Sequence, residues 1–232
     1  MQIVPGVYLI NGFPYGRHQN GYLVRCGDAT FAIDSGDLED ESFDTVVRAC
    51  ARWSVRTDEI THLLVTHAHF DHSSHAARLQ RLGARIVASK DTAEAMALGD
   101  DRCIGYAVGR RFEPCQADVV VRDEQVLEIG GVAVRCIAAP GHAGGLMVFE
   151  IVLNGERLWF CGDLVKVGAE CQTVELGWAG GPDYDRDTYL ATLRKLTLMD
   201  CDSLLAGHGP PGLGLGRRLI ENAYTKAMLE RR

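Results

Sequence analysis

The chain has 232 residues, a formal net charge of −7, 47% hydrophobic residues and 24% charged residues. That balance fits a globular protein with a sizeable core. The acidic surplus argues against a polynucleotide partner, and no run of 18 or more apolar residues offers a membrane span.

The N-terminus, Met1-Gln2-Ile3-Val4-Pro5-Gly6, has no basic region followed by a long apolar stretch. A secretory signal is therefore not expected, and the chain reads as cytoplasmic. Gly6–Ile10, Gly21–Arg25 and Thr30–Asp34 are short apolar runs punctuated by Gly, Asn and Asp, as in a meander of strands. A helix is expected from about Glu41 to Trp53, then a buried strand over Thr61–Thr66 ending in a dense polar loop. Ser73–Leu82 has helical spacing, with Ala76, Leu79 and Leu82 on one side, and Arg85–Ala88 is a short strand. Ala93–Ala97 suggests helix. Gly99–Cys115 lacks periodicity and reads as a lid or substrate-facing insertion.

Strands resume at Val119–Arg122, Val126–Ile129, Val132–Ala138, Leu146–Leu153 and Arg157–Cys161. A glycine-containing loop is expected from Gly162 to about Pro182, a helix over Arg186–Leu198, a strand over Ser203–Ala206 and a last helix from about Arg217 to Glu230. Both halves repeat strands, helix, strand, helix. That order fits a two-sheet sandwich with helices outside, and the chain reads as one domain over residues 1–232. The eight cysteines, at 26, 50, 103, 115, 136, 161, 171 and 201, form no C-x-x-C pair. They are expected to be reduced, and most to be small core residues. The Gly212-Leu-Gly-Leu-Gly216 run precedes the last helix and reads as a flexible turn, not a dinucleotide fingerprint.

The chemistry concentrates at His67-Ala68-His69-Phe70-Asp71-His72. Residues two apart in extended backbone project to one side, so His67 and His69 can reach one ion. Asp71 and His72 follow where the chain turns toward a helix and can hold a second. Imidazole and carboxylate without thiolate suit Zn, Fe, Mn or Co. One buried histidine is more often core than ligand; three with an aspartate at this spacing are not. Three later strand ends each place Gly before a candidate ligand: Gly141-His142, Gly162-Asp163 and Gly207-His208. His18, His62 and His75 are expected to lie outside the site.

These motifs resemble the metallo-β-lactamase fold superfamily. The match comprises the H-x-H-x-D-H signature at 67–72, then Pro140-Gly141-His142, Gly162-Asp163 and Gly207-His208-Gly209, with Ile33-Asp34-Ser35-Gly36 and Asn20–Val24 resembling earlier strand motifs. The resemblance implies an α/β, four-layer αββα sandwich of two mixed β-sheets with helices on the outer faces. It implies two divalent ions, zinc first with Fe or Mn as alternatives. His67, His69 and His142 would hold one ion, Asp71, His72 and His208 the other, and Asp163 would bridge them. Asp34 would orient a ligand by hydrogen bonding. Ala143-Gly144-Gly145 follows His142 where the family often has Thr or Ser, so a supporting hydroxyl is missing.

The implied activity is hydrolysis of a small ester, thioester or lactone by a hydroxide held between two metals, as in glyoxalase II-like enzymes and lactonases. Asp71 or Asp163 would orient the nucleophile or relay its proton. The alternatives are a mononuclear iron persulfide dioxygenase, a small-molecule phosphodiesterase, a β-lactamase and a non-catalytic metal-binding protein. The expected partner is a small-molecule substrate, with no nucleic acid or membrane, and a homodimer is an open option. Substrate contacts are sought in residues 13–18, 99–115 and 178–184. Tyr15, Tyr184, Arg102, Arg110 and Arg111 are candidates, each weighed against an ordinary packing or surface role.

Overall fold

The computed structural model describes residues 1–230. The first sheet has seven strands in sequential order: β1 (Gln2–Val4), β2 (Val7–Asn11), β3 (Gly21–Cys26), β4 (Ala29–Ile33), β5 (His62–Leu64), β6 (Arg85–Ser89) and β7 (Val119–Val121). Its first four strands pair antiparallel and β4 to β7 pair parallel, so the sheet is mixed. Helices α1 (Asp40–Ala51), α2 (Phe70–Ser73), α3 (Ala76–Arg81) and α4 (Lys90–Leu98) belong to this half.

The second sheet has β8 (Val126–Ile129), β9 (Val132–Ala138), β10 (Met147–Leu153), β11 (Glu156–Val167) and β12 (Val174–Leu176), all antiparallel. The sixth strand, β13 (Ser203–His208), runs parallel to β11. Helices α5 (Arg186–Leu196) and α6 (Gly216–Leu229) complete this half.

Strand alternation explains how four layers form. Phe31, Ile33, Leu64 and Val87 point inward, against Phe149, Ile151, Phe160 and Leu205 of the other sheet. Their neighbours Ala32, Leu63, Val65 and Ile86 point outward, onto Phe43 and Val46 of α1 and Met96 of α4. On the second sheet Val148, Trp159, Cys161 and Leu204 face Leu193 of α5 and Leu219 of α6. The three cores are the three interfaces of a helix–sheet–sheet–helix sandwich.

The structure corrects several expected elements. The helix expected over Ser73–Leu82 is broken between α2 and α3, because the His75 N–H leaves the helical ladder and donates to Ser35 Oγ at 3.2 Å. The loop expected from Gly162 begins later. A bulge at Gly162, where φ is +50°, lets β11 continue, and Val165 and Val167 pair with Leu176 and Val174. The 99–115 segment is anchored rather than free. It forms two 3-10 turns (Asp101–Cys103 and Gly105–Val108) and buries Cys103, Phe112 and Cys115 in the outer core of the first sheet. Cys50, Cys103, Cys115, Cys136, Cys161 and Cys201 are buried and unpaired, in line with small core residues. Burial pushes the Cys50, Cys103 and Cys136 thiols up to about 12. Among the described residues, no helix is long and apolar enough to cross a membrane.

Candidate metal centre

All seven residues singled out from sequence converge at one end of the sandwich. They form two groups whose potential ligand atoms lie within 4.8 Å of one another: His67, His69, His142 and Asp163, and Asp71, His72, Asp163 and His208. The first imidazoles follow β5, Asp71 and His72 sit on α2, and His142 follows β9. Asp163 stands just past the β11 bulge, and His208 ends β13.

The glycine before each later residue has a steric reason. A Cβ at Gly141 (φ +132°) would meet the Tyr189 backbone nitrogen at 2.5 Å. At Gly207 the constraint is space alone: a Cβ would lie 2.4 Å from His72 Cε1 and 2.5 Å from Asp163 Oδ1.

In the first group the ring nitrogens face one another. His142 Nε2 lies 3.3 Å from His67 Nε2 and 3.1 Å from His69 Nδ1. Outer hydrogen bonds fix the tautomers. His142 Nδ1–H donates to Trp178 O at 2.9 Å. Thr66 Oγ1 donates its own proton to Asp34 Oδ2 at 2.8 Å, so it accepts from His67 Nδ1–H at 3.1 Å. The inner nitrogens of His67 and His142 therefore present bare lone pairs. Burial, with crowding by the other histidines, pushes His67 well below the ordinary range and His69 down to about 3. Converging lone pairs that hold no proton repel one another, and a cation among them removes the conflict.

The second group is built from charge pairs. His72 Nε2 lies 3.1 Å from Asp163 Oδ1 and 3.6 Å from Asp71 Oδ2. His208 Nε2 lies 3.3 Å from both Asp71 Oδ2 and Asp163 Oδ2. Burial lowers His208, but the Asp163 and Asp71 carboxylates outweigh it and raise it to about 10. Burial likewise raises Asp163, yet His72 and His208 outweigh it and hold its carboxyl well below the usual range. A divalent ion would take the place of these protons. His72 Nδ1–H donates to Asp34 Oδ2 at 2.8 Å and His208 Nδ1–H to His18 O at 2.9 Å, which leaves each Nε2 to the ion. Both donor sets fit divalent metal. Asp163, whose Oδ2 is 3.7 Å from His142 Nε2, joins them.

Asp34 thus does what the resemblance implied. Its backbone is left-handed (φ +55°), tolerable for Asp, and its carboxylate also accepts from Thr66 N–H at 2.8 Å. Thr66 and the carbonyls of His18 and Trp178 were not foreseen. Thr66 stands directly before His67 and could have been noticed; a carbonyl partner leaves no trace in sequence.

The profile of the Metallo-beta-lactamase superfamily matches residues 14–208. The chain belongs to this superfamily. A lactamase-like protein, ptaB, from Pestalotiopsis fici is 26% identical over 99% of this chain and 64% of its own length. An atrochrysone carboxyl ACP thioesterase, AgnL7, from Paecilomyces divaricatus is 28% identical over 90% of this chain and 57% of its own. The chain thus spans only about three-fifths of these relatives' length. Among solved structures, a Cronobacter sakazakii metallo-β-lactamase with a HARLDQ motif aligns with TM-score 0.73 and 26% identity, covering 90% of this chain and 80% of that one. BJP-1 of Bradyrhizobium japonicum, a subclass B3 metallo-β-lactamase, aligns with TM-score 0.77 at 20% identity, covering 97% and 89%, and shows the shared fold.

Two cavities reach the ligand groups from opposite halves of the fold. One, of about 550 Å³, lies among β11, β12, α5 and α6 and reaches Asp163 and His208. Leu176, Trp178, Tyr184 and Leu190 give it apolar walls, and Lys166 and Lys226 also line it. The other, of about 230 Å³, reaches Asp71 and is lined by Leu38, Phe70, Val108 and Arg110. Tyr184 and Arg110 therefore line cavities beside the site. Tyr15 does not: its hydroxyl donates to Leu9 O at 3.1 Å in a packing role. Arg102 is held by Asp100 at 2.7 Å, and the exposed Arg111 lies in a separate groove with Tyr106 and Pro114. His62 bonds Thr61 and His75 packs on the Phe43 ring, both outside the two groups.

Proposed function

We propose that the chain is a metal-dependent hydrolase of acyclic acyl thioesters, with esters as the nearest alternative. The observation that carries this reading is the pair of ligand groups sharing Asp163, set between two cavities that have no lining residue in common. A substrate cleaved into two separate pieces needs a place for each arm. A lactone, whose two ends stay joined, needs one. The thioesterase names of several relatives support the same substrate class.

His67, His69 and His142 would hold one ion, Asp71, His72 and His208 the other, with Asp163 shared. When bound, the ions supply a water of lowered pKa and a Lewis acid for charge developing on the carbonyl oxygen. The chain's own groups do the rest. Asp34 and Thr66 lock the orientation of His72 and His67. Asp71 or Asp163 would orient the attacking water or relay its proton. The larger cavity seats the acyl group against Trp178, Tyr184 and Leu190, and the thiol leaves along Phe70 and Leu38. A thiolate leaves without needing an acid catalyst.

Metal quantification joined to a panel of acyl thioesters, esters, lactones, β-lactams and phosphodiesters tests the proposal. Two metal equivalents with fastest turnover of thioesters is the expected result. A single iron with oxygen consumption, or turnover confined to phosphodiesters, would overturn it. Asp163→Ala removes the one group common to both ligand sets. It should abolish turnover while the protein stays folded by circular dichroism.

A further inference from the structure

His142 Nδ1–H donates to Trp178 O, and that carbonyl lies outside regular structure. β12 ends at Leu176, paired with Val165, and Gly177-Trp178-Ala179-Gly180-Gly181 runs on toward α5 without strand or helix. The Trp178 side chain is half exposed and gives its backbone little anchorage. Yet a carbonyl that sets the tautomer of a ligating imidazole must itself be fixed. Tyr189 of α5 supplies the hold. Its side chain is buried, and its hydroxyl accepts from Gly177 N–H at 3.0 Å, directly before Trp178. The same hydroxyl donates to Leu164 O, directly after Asp163. A carbonyl can only accept, so the hydroxyl proton goes to Leu164 and a lone pair takes Gly177 N–H. Leu164 is fixed without this bond, because β11 is paired with β13 on one side and β12 on the other. Gly177 lies past the end of β12, so the hydroxyl acts chiefly there. The approach is close enough to require glycine: a Cβ at Gly177 would run into Asp163 O and stand 2.8 Å from His142 Nδ1. α5 also grips the chain that leads into His142. Asp185 N–H donates to Gly141 O at 2.8 Å, and Thr192 Oγ1 donates to Pro140 O at 2.7 Å.

We infer that Tyr189 is a positioning residue for His142. Its hydroxyl holds the chain at Gly177 so that the next carbonyl, of Trp178, stays in place to accept from His142 Nδ1–H. Nε2 then keeps its lone pair turned toward His67 and His69. One helix thereby sets both ends of this hydrogen bond, the imidazole through Pro140 and Gly141 and its acceptor through Gly177. The inference rests on the metal-centre reading, so its tests read metal binding and hydrogen exchange rather than turnover.

The full chain, stripped and reloaded, is titrated with zinc against a chromophoric chelator and with Co(II) followed by visible absorption. Wild type, Tyr189→Phe and Ser203→Ala are compared. Ser203→Ala removes another buried hydroxyl of the same half, which donates to Glu156 and accepts from Gly214 N–H at 2.9 Å, at the opposite end of β13 from His208. In Tyr189→Phe one equivalent should bind about three- to tenfold more weakly, with a shifted Co(II) band, while the other changes by less than about twofold. Ser203→Ala should lower the metal-free melting temperature and leave both equivalents and the Co(II) band as in wild type, which separates positioning from a general loss of stability. Wild-type affinities and spectra in folded Tyr189→Phe would overturn the inference, as would matching losses of affinity in the two variants. Wild type binding no metal would sink the metal-centre reading itself. Amide hydrogen exchange of the wild type decides the matter if Tyr189→Phe does not fold. Gly177 N–H should be protected to the level of the β11 amides, and exchange at the rate of an open loop would overturn the inference.

Discussion

At the scale of single residues, the seven groups that converge in space are the seven that stood out in sequence. The reason is chemical. Histidines and aspartates crowded at strand ends have few other uses, and a glycine before each later one marks a place with no room for a side chain. Gly207 shows how tight that room is. Gly207→Ala would push a methyl into His72 and Asp163 at once. The variant should lose about ten- to a hundredfold in metal affinity, as measured by chelator competition, with little change in circular dichroism. Unaltered binding would mean that the cluster yields more readily than its packing indicates. What sequence did not disclose are the partners of the ring nitrogens. Two are backbone carbonyls, which every residue carries.

At the scale of elements, short apolar runs located nearly all the strands, because most of the central ones bury both faces between layers. The misses arose where a polar site interrupts an element. Gly162 and Asp163 look like the start of a loop, yet Leu164, Val165 and Val167 resume the buried pattern and β11 runs on. The polar pair is there for the site, and the strand bulges to accommodate it. In the same way His75, tied to Ser35, divides what periodicity alone joins into one helix. The short β1 was missed because its three residues show no alternation to read. The strands also set the precision of the centre. Leu205 of β13 is fully buried between the sheets, three residues before His208. Leu205→Ala should cost about 2–5 kcal/mol in denaturant unfolding. A loss below about 1 kcal/mol would show that the inter-sheet core refills around it.

At the scale of the whole molecule, the two ligand groups pull stability in opposite directions with pH when metal is removed. His67, His69 and His142 are held below their ordinary range, so they favour the folded state above about 6.5 and lose that contribution as pH falls. His208, raised to about 10, favours the folded state fully below about 6.5 and loses its contribution as pH climbs toward 10. Melting temperatures of chelator-stripped protein should therefore peak near pH 6.5 and fall on both sides. Metal-loaded protein should lack the alkaline decline, because the ligands no longer carry protons. A metal-free melting temperature that climbs steadily to pH 10 would contradict this charge distribution.

The strand that ends in His208 is the last of the described strands in chain order. It is clasped by the start of the chain: Asn20 Nδ2 donates to Ala206 O at 2.9 Å, across 186 residues, and the Tyr22 hydroxyl donates to the same oxygen at 2.7 Å. Contacts so distant in sequence form late, and synthesis runs from the N-terminus. A nascent chain stopped before residue 203 already carries His67, His69, His142 and Asp163, but not His208 or the strand that seats it. Such a chain cannot complete the second group. Completion of the second ligand group is thereby tied to the arrival of β13.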